Sequence, residues 1–433
     1  MTSIKIAIIL GIMIIALSLR FLLFYQNNIV YKDNQNISFK TTLLSEPKIF
    51  SRYQKISADL ESGDKISLII PRYPEYHYGQ TLYVSGALRA KNTVKAISQK
   101  QLLPKKEKIV LSMYFPKTEL VVNSNNFSFK LIEPVLAVTS FIRQDIISLF
   151  GKTLPPSESG LFLGIVFGIK EEMPKTFTDS LRITGVMHVI AASGMNVTII
   201  GGFLSSIFAF FFKRQIALFA SIAGIIFYAI LAGLEPSIVR ASIMGALVFS
   251  SQILGRQSLA LYSLSLAGFI MLFISPGLIS DIGFQLSFIS TLGILYIRPL
   301  FQKRGLKIIL KKSIIGEDMA TTVSAQIAAL PILFANFGSY SIISVLVNGL
   351  VLWTVPILMV LGGLGAIFGV LLEPVGKIFL YLSLPFLLYF EKLVSFFSVF
   401  NAGFNFESVP WQLITGYYAV LISVLLFFRT VRK

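Results

Sequence analysis

His188, Ser193, Gly194 and Asn196 fall within one otherwise apolar stretch, 184-TGVMHVIAASGMNVTII. A histidine five residues from a serine raises the possibility of base-activated nucleophilic attack. No acid stands nearby to orient the ring, and no G-x-S-x-G elbow is present, so that chemistry is set aside. What these residues do supply is polarity at membrane depth. Ala192-Ser193-Gly194 marks a break in a helix, and non-helical backbone in hydrocarbon is tolerated only where protein buries it or a cavity hydrates it. More polar residues interrupt later apolar runs. Ser237 and Arg240 stand in 234-LEPSIVRASIMG, Asp281, Gln285 and Ser287 stand in 281-DIGFQLSFIS, and Gln326 and Asn348 follow. Taken singly, each is accounted for by an interhelical hydrogen bond of about 0.6 kcal/mol. Taken together, they read as a polar pathway through an apolar body.

Other chemistries are excluded by what the chain lacks. It has no cysteine and two histidines, His77 and His188, so there is no thiolate or clustered-histidine metal site and no cofactor is expected. Gly151-Lys152-Thr153 looks like the end of a P-loop, but position 146 is Ile where the first glycine is needed, so no phosphate cradle forms. No H-E-x-x-H is present.

The elements that must hold these residues are mostly apolar helices. Hydrophobic residues make up 55% of the 433 and charged residues 14%, and the mean hydropathy is +0.76, which excludes an ordinary soluble enzyme or a disordered chain. Apolar runs near 184–212, 218–234, 237–254, 258–275, 282–300, 318–337, 341–372, 378–398 and 411–428, with an N-terminal run at 6–24, predict a polytopic α-helical membrane protein of about ten crossings. Residues 157–170 are short enough to dip rather than cross, and 341–372 is long enough to hold a broken helix. The run at 6–24 reads as an uncleaved helix, because it outlasts a signal-peptide core and no A-x-A site follows.

Between the first helix and the rest lies a different composition. Residues 31–152 carry 18 Lys/Arg against 10 Asp/Glu. Short β-like runs from 36 to 123, separated by turns such as Ser62-Gly63-Asp64, suit a small OB-like barrel. The expected organisation is a transmembrane helix at 1–28, a β domain at 29–132, an amphipathic interfacial helix at 133–156 and a helical domain at 157–433. Basic residues with interleaved aromatics bind single-stranded nucleic acid; here Arg72, Tyr76, Tyr78, Arg89 and Lys91 are candidates, against the plainer reading of a solvated basic surface. Lys213/Arg214, Arg256, the run from Arg298 to Lys312, and Arg429, Arg432 and Lys433 fall on one side if each run crosses once. The positive-inside rule makes that side cytoplasmic, with the β domain outside and both termini inside.

Four blocks, in order, resemble the ComEC competence family. They are 184-TGVMHVIAASGMNV, 236-PSIVRASIMG, 281-DIGFQLSFIST and 325-AQIAALPILFANFGSYSIISVLVNGLVLWTVP, and 78-YGQTLYVSGALRA is similar to the end of that family's soluble domain. The resemblance covers most of residues 40–360. It implies a channel of the bacterial cytoplasmic membrane that passes one DNA strand inward during natural transformation, with single-stranded DNA as cargo and no enzymatic activity of its own. Implied partners are membrane lipids, an external DNA receptor, and a separate cytoplasmic motor or DNA-binding proteins. Two departures stand out: Asn196 replaces a second histidine of the signature, and a single helix precedes the β domain. The chain ends soon after its last apolar run, so the metallo-β-lactamase-like domain of many members is not expected. The competing classes are a secondary transporter of a small anion or lipid, which favours an inverted repeat, and a polytopic membrane enzyme, which needs a catalytic cluster at one membrane face.

Overall fold

The computed structural model describes residues 2–26, 33–43, 47–60, 65–76, 80–92, 109–121, 127–169, 173–190, 194–255, 260–303, 314–337, 339–341, 343–400, 403–405 and 410–430. These form two compact units. One comprises Met1–Gln144 with Met271–Gly277, and the other Asp145–Ile270 with Leu278–Lys433.

The first unit begins with helix α1, Thr2–Gln26, whose apolar side chains Ile12, Ile15, Leu19 and Leu22 are exposed. Arg20 donates from Nε to the Phe273 carbonyl at 3.1 Å. Seven strands follow: β1 (Asn36–Thr42), β2 (Lys48–Ile49), β3 (Tyr53–Asp59), β4 (Lys65–Pro71), β5 (Thr81–Asn92), β6 (Ile109–Tyr114) and β7 (Lys117–Leu120). Their order is β1-β5-β6-β4-β3-β2, with β7 also on β5, and all pairs are antiparallel except β4 with β6. The sheet curls because the long β5 serves two partners in turn. Leu82 to Ser85 face β7, and Leu88 to Asn92 face β6. Between them Phe115 takes φ 49° and Pro116 breaks the ladder, and a side chain at Gly86 would press on Pro116 at 3.0 Å. The concave side buries Phe39, Ile56, Ile66, Leu68, Ile70, Leu82, Val84, Leu88 and Met113, set there by period-2 alternation. This is a curled half-barrel with its own core.

The helical unit contains α2 (Phe127–Thr153, shared with the first unit), α3 (Pro156–Phe167), α4 (Lys175–Ile183), α5 (Met187–Ile190), α6 (Gly194–Phe211), α7 (Arg214–Leu231), α8 (Pro236–Ile253), α9 (Ala260–Ile274, likewise shared), α10 (Ile282–Tyr296), α11 (Arg298–Lys303), α12 (Ile314–Phe337), α13 (Ser344–Val351), α14 (Thr354–Leu371), α15 (Glu373–Ser398) and α16 (Trp411–Thr430). Among the described residues, five segments are long and apolar enough to cross a membrane: Met187–Phe211, Arg214–Leu231, Ile282–Phe301, Thr354–Leu371 and Glu373–Ser398. Five shorter apolar helices accompany them. Helix α8 is in neither group, because Arg240, Ser237, Ser242 and Gln252 dilute its apolar residues.

Several local devices shape this unit. Helix α3 ends at Gly168 in the left-handed region, φ 66°, whose N–H returns to the Gly164 carbonyl at 3.0 Å. The stretch 341–372 is two helices, α13 and α14. Thr354 Oγ1 donates to the Val351 carbonyl, and Pro356 has no N–H to continue the ladder backwards. In α12, Pro331 likewise leaves the Ile327 carbonyl without its helical donor. The Tyr417 hydroxyl of α16 donates to it at 2.8 Å, and Tyr418 donates to the Ala328 carbonyl at 3.0 Å. Beyond α12, strand β8 (Ser339–Ser341) pairs antiparallel with β9 (Gly403–Asn405), tying the loop before α13 to the loop before α16.

Candidate functional site

Three of the candidate residues separated in sequence, Gly194, Arg240 and Ser287, meet in space. Arg240 projects from the second turn of α8 and is 9% exposed. Its Nε donates to Ser287 Oγ of α10 at 2.7 Å, and its Nη1 approaches Met244 Sδ at 3.4 Å. Its Nη2 lies against Gly194, the first residue of α6. A Cβ at Gly194 would sit 3.1 Å from Nη2 and 3.4 Å from Ala241 Cβ. Glycine is therefore what lets α6 start this close to the guanidinium. Among the described residues no carboxylate pairs with Arg240, and α6, α8 and α10 carry no other charged residue.

The remaining candidates lie elsewhere. Asn196 is buried, and its Nδ2 donates to the Ile165 carbonyl at 2.6 Å. Tyr228 of α7, beside Asn196, donates to the Val166 carbonyl at 2.9 Å. These side chains fill two of the carbonyl positions that the end of α3 leaves open. His188 is exposed, and its Nδ1 lies 3.1 Å from the Gly185 carbonyl of its own turn. Ser193 and the expected break around it lie outside the described residues. Ser237 is half-buried in the first turn of α8. Asp281 is the N-cap of α10, accepting from the Phe284 N–H at 2.9 Å, and Gln285 Nε2 donates to the Ile279 carbonyl at 2.8 Å. Gln326 of α12 donates to Ser344 Oγ of α13 at 3.2 Å. Asn348, one turn along α13, is fully buried, and neither its Oδ1 nor its Nδ2 has a hydrogen-bond partner among the described residues. Sequence reasoning missed Met244, although its i, i+4 spacing from Arg240 on α8 was a local signal, and it missed Tyr228 and the α16 tyrosines, since nothing in local spacing announces a contact between distant helices.

On the half-barrel, Arg72 lies over the ring of Tyr73 at 5.4 Å, and Arg89 over that of Tyr114 at 5.5 Å. Both rings are exposed, Tyr73 at 69% and Tyr114 at 48%. Gln54 holds the Arg72–Tyr73 loop: its buried Nε2 donates to the carbonyls of Pro71, Arg72 and Pro74, and its Oε1 accepts from the Tyr76 N–H. Tyr76 is a core residue, 3% exposed with its hydroxyl 2.9 Å from Thr118 Oγ1, and presents no ring face to solvent. Tyr78 lies outside the described residues, as does the Lys91 side chain, though Lys91 itself pairs with Val110 in the sheet. Tyr73, which the sequence offers beside Tyr76 and Tyr78, is exposed, as are Tyr114, Tyr83 and Phe115, which the sequence reading left out. The alternation of β6, with Leu111 and Met113 buried and Tyr114 exposed, was the signal for Tyr114.

The model of the Competence protein family matches residues 165–431, more than half of the chain. The chain belongs to the Competence protein family. It is 26% identical over 273 residues to the Competence relative "ComE operon protein 3" of Bacillus subtilis (strain 168), covering 62% of this chain. The chain aligns with 32% of that relative's length, about a third. No solved structure matches it. The family match holds every residue of the Arg240 cluster, together with Asn196, Gln326 and Asn348.

Proposed function

We propose that the chain is the membrane conduit through which a single DNA strand enters the cytoplasm during natural transformation. The observation that carries this reading is the Competence match over residues 165–431, the part of the chain in which Gly194, Arg240 and Ser287 converge among apolar helices. A strand carries one negative charge per nucleotide and needs hydrated, cationic contacts along its way.

The half-barrel, read as an OB-like domain outside the membrane, offers two arginine-backed tyrosines as stacking platforms, Arg72/Tyr73 and Arg89/Tyr114. Its basic surroundings raise the local concentration of DNA. About ten crossings place both termini in the cytoplasm. Energy comes from elsewhere: a cytoplasmic motor, or proteins that trap the incoming strand, supply the pull, and an external receptor delivers the DNA. His188, Ser193, Asn196, Ser237, Asp281, Gln285, Gln326 and Asn348 line or brace the path, Asn196 by holding α3 in place.

The test is deletion of the gene, followed by delivery of labelled double-stranded donor DNA. Loss of label from the cytoplasm, with DNA still bound at the surface, is expected. Unchanged entry overturns the reading. Loss of a small-anion or lipid flux with DNA entry intact assigns the chain to the transporter class instead.

A further inference from the structure

A guanidinium withdrawn from water inside an apolar helical unit is costly unless something carries the opposite charge. Arg240 is nine-tenths buried, and its protein partners are a hydroxyl and a thioether, both neutral. The helices around it bring no carboxylate. The usual way of stabilising a buried cation, an ion pair, is therefore not used by the described residues. The side chain is nevertheless held in place: Ser287 Oγ fixes Nε at 2.7 Å, which sets the plane of the fork, and Met244 takes Nη1 only through sulfur, a weak acceptor. The Nη2 end packs against Gly194, where a Cβ would press on it at 3.1 Å, and no acceptor takes its N–H groups among the described residues. An oriented fork with an unpaired edge beside a glycine matches what oxyanion recognition needs, because the two N–H groups of an arginine edge address two oxygens at once.

We infer that Arg240, oriented by Ser287 and left without an anionic partner among the described residues, is a seat for one phosphodiester monoanion, occupied by successive linkages of the passing strand. The seat rests on the DNA-import reading for the source of its ligand. A phosphodiester suits it in charge and shape. It carries one negative charge against one positive charge, with two non-bridging oxygens against one fork. A single fixed charge also suits passage, since a site in a conduit must hold its ligand weakly enough to release it. A second arginine or a carboxylate in the same three helices would trap the strand or repel it.

The experiment uses the full chain, with Arg240→Gln and Arg240→Lys, in membranes of a strain lacking its own copy. Two quantities are read: entry of labelled donor DNA per unit of membrane-inserted protein, and the melting temperature of the solubilised chain with dimethyl phosphate or with its neutral analogue trimethyl phosphate. Arg240→Gln is expected to lower entry about tenfold at equal abundance, the order of one lost hydrogen bond to a charged group. Arg240→Lys keeps the charge without the fork and retains part of the rate. Dimethyl phosphate is expected to raise the wild-type melting temperature, trimethyl phosphate to leave it unchanged, and Arg240→Gln to abolish the rise. Equal entry by Arg240→Gln and wild type, or a dimethyl phosphate response that survives the substitution, overturns the seat. If deleting the gene leaves DNA entry intact, the import reading fails, and the two phosphate esters still decide whether Arg240 binds a phosphodiester. A short-chain phosphatidylglycerol that shifts the melting temperature through Arg240 while dimethyl phosphate does not would overturn it in favour of a lipid site.

Discussion

At Gly194 the margin is a single side chain. A Cβ there meets Arg240 Nη2 at 3.1 Å, and the far end of a flexible arginine can yield a few tenths of an ångström. Gly194→Ala should therefore insert normally and import somewhat more slowly. Gly194→Val, with two more carbons aimed at the guanidinium, should import no measurable DNA at normal membrane abundance; donor entry beside an immunoblot of the membrane fraction separates this from misfolding. Asn348 poses the opposite problem. Its buried amide has no partner among the described residues, and an unmet buried polar group costs about 1–3 kcal/mol. Asn348→Leu should leave the solubilised chain as stable as wild type or more stable in a thermal melt, while slowing entry if the amide serves the path. A marked fall in melting temperature would show that the amide has a partner that matters to the fold.

Among the elements, α12 shows how a proline is accommodated at membrane depth. Pro331 withdraws one donor, and Tyr417 of α16 replaces it at 2.8 Å. Tyr417→Phe should lower the melting temperature by the equivalent of about 1 kcal/mol, and Tyr417→Phe with Tyr418→Phe by more. Unchanged melting of the double variant would mean that water supplies the carbonyls. How far such features could be read from sequence depends on the distance over which they act. The inward set of β1, Phe39 and Thr41, follows from alternation alone, and the short runs marked the strands. The helical character of the apolar runs was legible in the same way. The polar character of the Arg240 region was visible, but its meeting with Gly194 and Ser287 was not, because three helices create it. Tyr76 was misread as a stacking surface because it sits in an irregular loop, where alternation gives no direction and a buried glutamine, Gln54, fixes the backbone. The Tyr417–Ile327 bond spans 90 positions, and no local pattern encodes it.

For the whole molecule, the net charge of +17 and its distribution matter most. A reporter fused after residue 130 should face outward and one at the C-terminus inward, as protease protection in intact cells would show. Both on one side would contradict the proposed orientation. Binding of single-stranded DNA by the solubilised chain should weaken steeply with salt, with a slope of about 0.7 per phosphate contact. Replacing Tyr73 and Tyr114 with alanine should reduce affinity with little change in that slope, because stacking releases no counterions. A salt-independent affinity would assign the exposed rings to another task.

Helix α3 has a consequence for how the protein is made. Ten consecutive residues, Glu158 to Phe167, are buried, so no face of this helix is left for lipid. At about 1.5 Å per residue it is also too short to span a bilayer. The groups that cover it come later in the chain: Asn196 and Tyr228 take its last carbonyls, and Gly362 of α14 packs against Phe162 and Val166 so closely that a Cβ would overlap both. During synthesis α3 thus leaves the ribosome well before its own walls. Its carbonyls wait for Asn196 and Tyr228, and its Phe162 and Val166 side waits until residues beyond 354 have been made. Assembly of this part is therefore a late closing around an early post, and a helix made some two hundred residues later decides whether α3 keeps its place.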